Sequence, residues 1–324
     1  MTWLITGGAG YIGAHVVTET LRSGRSVVVL DDLSSGILER VPSSIPFEVV
    51  TLTDRDAVHE IFRKHQISGV LHLAAKKQVG ESLERPDYYW EQNVDGLQNL
   101  VDAMVAHEVK NFVFSSSAAV YGEPEFGDFG LINEDIVCNP ITPYGLTKLE
   151  GEHISEKLVA NNGFKVAALR YFNVAGAGKP EFGDQYIFNL IPILFKALED
   201  GAAPNVFGDD YPTPDGSCIR DYIHVQDLAE AHVSAMDFVE NSQPTFTPIN
   251  LGTGQGSSVL EVISMVEKVT GHLLYPNRIA RRTGDPAELV ADVARAKLIL
   301  SWSSKHDLEE IVTSAWTAWQ LGHK

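Results

Sequence analysis

The stretch that most constrains the fold is WLITGGAGYIGAHV (3–16), where a short apolar run meets a cluster of glycines and leaves as a helix-like pattern. The glycines read as G-x-x-G-x-x-G through Gly7, Gly10 and Gly13, or as G-x-G-x-x-G through Gly8, Gly10 and Gly13. In both readings a strand precedes and a helix follows, the setting in which such a loop binds the pyrophosphate of a dinucleotide. Glycine allows the tight turn and lets phosphate oxygens approach the backbone. The helix N-terminus adds free N–H groups and a positive partial charge. Asp31 follows the next apolar run, SVVVL (26–30), roughly 20 residues beyond the loop, where a carboxylate bonds ribose hydroxyls. With Asp32 beside it, a 2′-phosphate would meet two negative charges, so NAD is expected rather than NADP.

The chain then repeats the pattern. Strands are expected at 3–6, 26–30, 69–73, 111–115 and 165–170, with helices over 11–23, 54–65, 86–107 and 142–162. Continuous Val/Ile/Leu runs mark strands covered on both faces, hence a parallel sheet between helix layers. After residue 173 the texture changes: 174–186 and 208–218 read as loops around a helix at 189–201, and 219–240 looks like sheet-and-helix material again. The expected fold class is α/β, a doubly wound Rossmann-type parallel sheet with a smaller, partly interleaved α/β substrate domain. The dinucleotide-binding domain is placed at 1–173, with 219–251 returning to it; the second domain takes 174–218 and 252–324.

Chemistry is expected at the carboxyl end of the fourth strand, where SSSAAVYG (115–122) is followed by PYGLTKLEGE (143–152). Tyr144 and Lys148 stand at i and i+4, on one helix face. A neighbouring ammonium and a cationic nicotinamide ring both favour phenolate, so Tyr144 is expected to ionise below the ordinary value of about 10 and to act as a base near neutral pH.

The order TGGAGYIG, Asp31, SSSAAVYG and Tyr144-x-x-x-Lys148 resembles the extended short-chain dehydrogenase/reductases. Within them, KKQVGES (76–82), NVDG (93–96), LRYFNVAGA (169–177), NLIP (189–192), FGDDYPTPDGSCIRDYIHVQDLA (207–229), NLGTGQGSSVLEV (250–262) and RRTGDPAELVAD (281–292) resemble the UDP-glucose/UDP-galactose 4-epimerases over nearly the whole chain. The resemblance implies Tyr144 as acid/base, Lys148 as its tuner and a ribose ligand, and Ser117 as the group orienting the sugar 4-hydroxyl. Lys77 would hold the cofactor pyrophosphate, Tyr171 and Phe172 would lie by the nicotinamide, and Tyr11, Ile12 and Asn93 complete the NAD set. Asn173, Asn189, Leu190, Phe207, Arg220, Arg282, Asp285 and Leu289 would hold the UDP-sugar. The implied reaction removes the 4-hydroxyl proton and a hydride from carbon 4, turns the flat 4-keto sugar, and returns the hydride to its other face.

Rival chemistries lose their groups. The resembling 4,6-dehydratases keep an Asp-Glu pair where Ala118 and Ala119 stand, the decarboxylases keep an acid where Ala119 stands, and methyl groups transfer no protons. UDP-N-acetylhexosamines and UDP-glucuronate remain alternative substrates, the former because Leu289 is intermediate in size at the hexose wall. A non-catalytic NAD-binding regulator is the alternative of another class; it is disfavoured because Ser117, Tyr144 and Lys148 are all present. Thr51 replaces the carboxylate expected near adenine. The formal charge of −18 argues against nucleic acid and anionic membrane as partners. Cys138 and Cys218 are too few for a disulfide framework or a zinc site, no metal is expected, and no stretch reads as a signal peptide or membrane span, so a cytoplasmic location is expected. Relatives pair through the helices placed at 86–107 and 142–162, so a homodimer using Tyr88, Tyr89, Leu97, Leu100 and Val101 is expected, although core packing explains those side chains equally well.

Overall fold

A computed structural model describes residues 1–124, 130–282 and 285–322. Thr283 and Gly284 of the RRTGDPAELVAD stretch, and the last two residues of the second domain, lie outside the described residues. The first half runs β1 (Thr2–Thr6), α1 (Tyr11–Arg22), β2 (Ser26–Asp31), β3 (Phe47–Val49), α2 (Arg55–Lys64), β4 (Gly69–His72), α3 (Val79–Glu84), α4 (Pro86–Trp90), α5 (Gly96–Ala106), β5 (Asn111–Ser117), α6 (Pro143–Asn162) and β6 (Lys165–Tyr171). The second half runs β7 (Asn173–Ala175), α7 (Leu190–Asp200), β8 (Asn205–Phe207), β9 (Ile219–His224), α8 (Val225–Asn241), β10 (Thr245–Leu251), β11 (Gly256–Ser258), α9 (Val259–Thr270), β12 (Asn277–Ile279), β13 (Glu288–Leu289), α10 (Ala294–Leu300) and α11 (Leu308–Gly322).

Seven strands form a parallel sheet in the order β10-β6-β5-β4-β1-β2-β3. Alternation along β1 sends Trp3 and Ile5 into the core under α1 and α8, and Leu4 into the opposite core under α2, α5 and α6. The strand order reverses between β1 and β4, which opens a crevice at the carboxyl ends of those strands. The doubly wound parallel sheet expected from the sequence is therefore present.

A smaller lobe has its own core between α7, α9 and α11, built on Leu194, Phe195, Val262, Val266, Val312 and Trp319. Its sheet places β9 between β11 and β13, with β7 also pairing to β9. The stretch 219–251 thus divides. The helix α8 and strand β10 join the seven-stranded sheet, whereas Ile219–His224 stays in the smaller one, so the return begins at Val225.

The helix expected over 86–107 is interrupted. A π-helical turn at Glu91–Asp95 separates α4 from α5, and the extra residue re-aims one side chain: Asn93 there accepts from the Lys76 nitrogen at 2.8 Å and donates to the Lys76 oxygen at 2.9 Å. Four of the five side chains assigned to a dimer face belong instead to the interior. Tyr89, Leu97, Leu100 and Val101 are at most 1% exposed, and burying each aliphatic one contributes about 1.5–3 kcal/mol to the monomer's own fold.

Among the described residues, no helix is long and apolar enough to cross a membrane, and no group of three or more His, Cys, Asp or Glu is placed to hold a metal ion.

Candidate active site

The crevice over β1, β2 and β4 is a cavity of about 190 Å³ lined by Gly7, Gly10, Tyr11, Ile12, Gly13, Asp31, Asp32, Thr51, Lys77, Lys148 and Tyr171. Of the two glycine readings, the one through Gly7 forms the wall; Gly8 is turned against Val29. Gly7 has φ +73°, and a Cβ on it would stand 2.7 Å from the Ala74 nitrogen. A Cβ on Gly13 would stand 2.0 Å from the Gly7 oxygen, closer than atoms can approach. The helix α1 starts at Tyr11 with Gly10 as N-cap and no side-chain cap, so its first N–H groups remain open for an anion. Asp31 ends β2 and accepts from the Ala9 nitrogen at 3.0 Å and the Leu33 nitrogen at 2.9 Å. Burial raises its carboxyl above the ordinary 3.8, against the pull of those two donors. These groups fit a dinucleotide: a backbone cradle for pyrophosphate, then a carboxylate for ribose. Asn93 does not line this cleft; it sits behind the wall and fixes the Lys76–Lys77 segment that does.

A second cavity of about 430 Å³ adjoins the first, sharing Tyr11, Ile12, Lys77, Tyr144 and Tyr171 with it. That volume suits a small-molecule ligand. Ser117 ends β5, and Tyr144 opens α6, whose N-cap Thr142 accepts from the Gly145 nitrogen at 3.1 Å with Pro143 at the first turn. Both line this cavity. Lys148 sits one turn further on, buried, and donates to the Ser115 carbonyl at 2.7 Å. Burial lowers its ammonium to about 7.

Tyr144 departs from the sequence-based expectation. Burial raises its hydroxyl above the ordinary 10.0, with the hydrogen bond from Ser117 acting the other way. The Lys148 nitrogen lies 6.0 Å from the Tyr144 ring centre and donates to the Ser115 carbonyl, so its ammonium does not offset that burial.

The substrate-side residues divide. Phe172, Asn173, Asn189, Leu190, Arg220, Asp285 and Leu289 line the larger cavity. Arg220 is paired with Asp285 across the small sheet, which aims a guanidinium at the cavity while neutralising its partner. Asn189 donates to the Asp184 carboxylate at 2.7 Å. Phe207 and Arg282 are not in the cavity wall; they stack on each other, with the guanidinium carbon 3.6 Å from the ring centre. Sequence reasoning missed Tyr222, Asp184, Tyr186 and Lys76. Tyr222 was within reach, because it stands two residues beyond Arg220 on β9 and so shares its face. Tyr186, whose hydroxyl donates to the Ser35 carbonyl at 2.8 Å and ties the small lobe over the crevice, sits in a loop with no periodic signal.

The sheet order, the glycine cradle and the serine–tyrosine–lysine face define a dinucleotide-binding α/β protein with a second ligand cleft. The chain belongs to the NAD dependent epimerase/dehydratase family, whose model matches residues 3–252. It is 44% identical over 334 residues to the UDP-glucose 4-epimerase of Bacillus subtilis, covering 99% of this chain and 97% of that one. It is 42% identical over 319 residues to the UDP-glucose 4-epimerase of Corynebacterium glutamicum, covering 98% and 95%. Among solved structures it is similar to the UDP-glucose 4-epimerase of Stenotrophomonas maltophila with bound NAD and formylated UDP-arabinopyranose, with a TM-score of 0.94 and 38% identity over 100% of this chain and 99% of that one.

Proposed function

We propose that this chain catalyses the NAD-dependent 4-epimerisation of UDP-hexoses, interconverting UDP-galactose and UDP-glucose, with Tyr144 as acid and base. The observation that carries the reading is the position of Tyr144: it lines both the dinucleotide crevice and the larger cavity, shares the latter with Ser117, and stands one helical turn from Lys148. Bound NAD would supply a cationic ring and the acceptor and donor of a hydride at sugar carbon 4. Tyr144 takes the 4-hydroxyl proton and later returns it, and Ser117 holds that hydroxyl in line. Arg220 meets the diphosphate, and Asn173, Asn189 and Leu190 flank it. The hexose is gripped through its UDP end, which leaves the ring free to present either face. Thr51 offers adenosine a hydroxyl where a carboxylate was expected. The roles given to Lys77, Phe172, Phe207, Arg282 and Leu289 belong to the same reading.

The test is formation of the 4-epimer from UDP-galactose by purified protein without added NAD, run beside UDP-N-acetylgalactosamine and UDP-glucuronate. The expected result is turnover of UDP-galactose that falls by about 10²–10⁴ in Tyr144→Phe, the usual worth of a positioned acid–base group. Undiminished turnover in that variant removes Tyr144 from the mechanism, and turnover of UDP-glucuronate alone selects the other substrate. Pairing of two copies through α4, α5 and α6 belongs to this reading as well. With four of the expected side chains in the core, it rests on half-buried Tyr88 and exposed Trp90 and Leu146, and sedimentation velocity showing only monomer would remove it.

A further inference from the structure

Tyr171 lines both cavities, yet its hydroxyl is bonded to a residue that lines neither. It bonds to Nε2 of His232, a side chain of α8 that no solvent reaches. The direction of that bond is fixed from behind. His232 Nδ1 lies 2.7 Å from the Leu228 carbonyl, which can only accept, so Nδ1 carries the proton. In the neutral ring Nε2 is then bare and must accept, and the Tyr171 hydroxyl must donate. Burial keeps the ring neutral, with the imidazolium form pushed down to about 4. The rings meet edge to face, their centres 5.2 Å apart. Ser115, on the neighbouring strand, accepts from Lys148 through its carbonyl at 2.7 Å and so ties α6 to the same end of the sheet.

We infer that His232, which lines neither cavity, is a positioning residue for NAD binding: by accepting the Tyr171 hydroxyl it holds that ring in the wall shared by the two clefts and keeps a second phenol from turning toward Tyr144. The inference rests on the proposed use of NAD. Without His232 the hydroxyl loses the acceptor that fixes it, on a ring that lines both cavities. The fault then lies in an orphaned hydroxyl rather than in missing volume, so removing the hydroxyl as well repairs it.

The test is a double-mutant cycle read by NAD affinity of nucleotide-stripped protein in titration calorimetry, with thermal unfolding and steady-state kinetics alongside. His232→Leu is expected to weaken NAD binding about tenfold, the order of one buried unsatisfied hydroxyl. His232→Gln, whose side-chain carbonyl accepts the same bond, is expected to stay within about threefold of wild type. His232→Leu with Tyr171→Phe is expected to bind NAD as well as Tyr171→Phe alone, and the KM for UDP-galactose is expected to stay unchanged in the two variants altered at His232 only. A loss that repeats at full size in the Tyr171→Phe background means that His232 only fills space, and overturns the inference. Should His232→Leu fail to fold, recovery of folding on adding Tyr171→Phe supports the inference, and continued failure overturns it. Wild type that binds NAD but turns over no UDP-sugar sinks the epimerase reading and leaves this cycle intact.

Discussion

The two lobes present their ligand groups in opposite ways. On the seven-stranded sheet the cleft is made from backbone: a glycine turn, the first N–H groups of α1 and the ends of β1, β2 and β4, all anchored in cores buried on both faces. On the smaller lobe the cleft is made from long side chains carried on strands of two to six residues and on the loops between them: Arg220 braced by Asp285 and Asn189 braced by Asp184, with Arg282 laid over Phe207 outside the wall. A backbone cradle has one shape and tolerates no added atom. A cradle of side chains can lose one member and still close on its ligand. The rigid half therefore suits a cofactor kept through many turnovers, and the adaptable half suits a substrate that must be bound and released.

The contrast breaks or holds on a pair of variants. In Gly13→Ala a single added methyl would stand 2.0 Å from the Gly7 oxygen, so the loop must open. The expected outcome is loss of co-purifying NAD and of epimerase activity to background, read by absorbance of the denatured supernatant and by product formation. Retention of NAD would mean that the loop adapts as readily as the other lobe. Arg282→Ala removes an exposed guanidinium and is expected to raise KM for UDP-galactose about tenfold with kcat nearly unchanged, as loss of one charge-assisted contact made equally to substrate and transition state. A fall in kcat with KM unchanged would place Arg282 in the chemistry and erase the distinction.

The same contrast explains what could be read from the sequence. The large sheet writes itself into runs such as SVVVL and KVAALR, because strands covered on both faces must be apolar throughout. The glycine loop is equally legible, because no other residue fits at positions 7 and 13. The small lobe resists reading. Strands such as β8, β12 and β13 have two or three residues and no usable period, and β9 resembled a strand of the large sheet because IRDYIH is buried wherever it lies. Side-chain identity carried further than local structure there: Arg220 and Asp285 were picked out by motif and do meet. Tyr186 and Asp184 were not, because a loop that crosses between lobes reveals its contacts only in three dimensions. At Tyr144 burial raises the phenol, and this too was not legible, because sequence spacing counts charges but not desolvation.

The smallest expected effect tests which half carries the titrating group at the junction. Arginine side chains stay charged throughout the working range, whereas on the sheet side Lys148 is a junction group whose titration is brought near neutrality. Burial lowers its ammonium from 10.5 to about 7. Between those values the unfolded chain holds a proton that the folded chain has given up, so this group makes stability rise with pH across that window. Below about 7 both states hold the proton, and the penalty for burying the ammonium is constant. Comparing nucleotide-free wild type with Lys148→Met cancels every other titrating group not coupled to this one. The expected difference in unfolding free energy is flat on the acid side of about 7 and moves in favour of wild type as the pH is raised from there toward 10.5. A difference that is level across the window, or that moves against wild type, would mean that Lys148 is solvated in the folded chain, and the crevice would then lose the low-dielectric wall on which the tuning of Tyr144 depends.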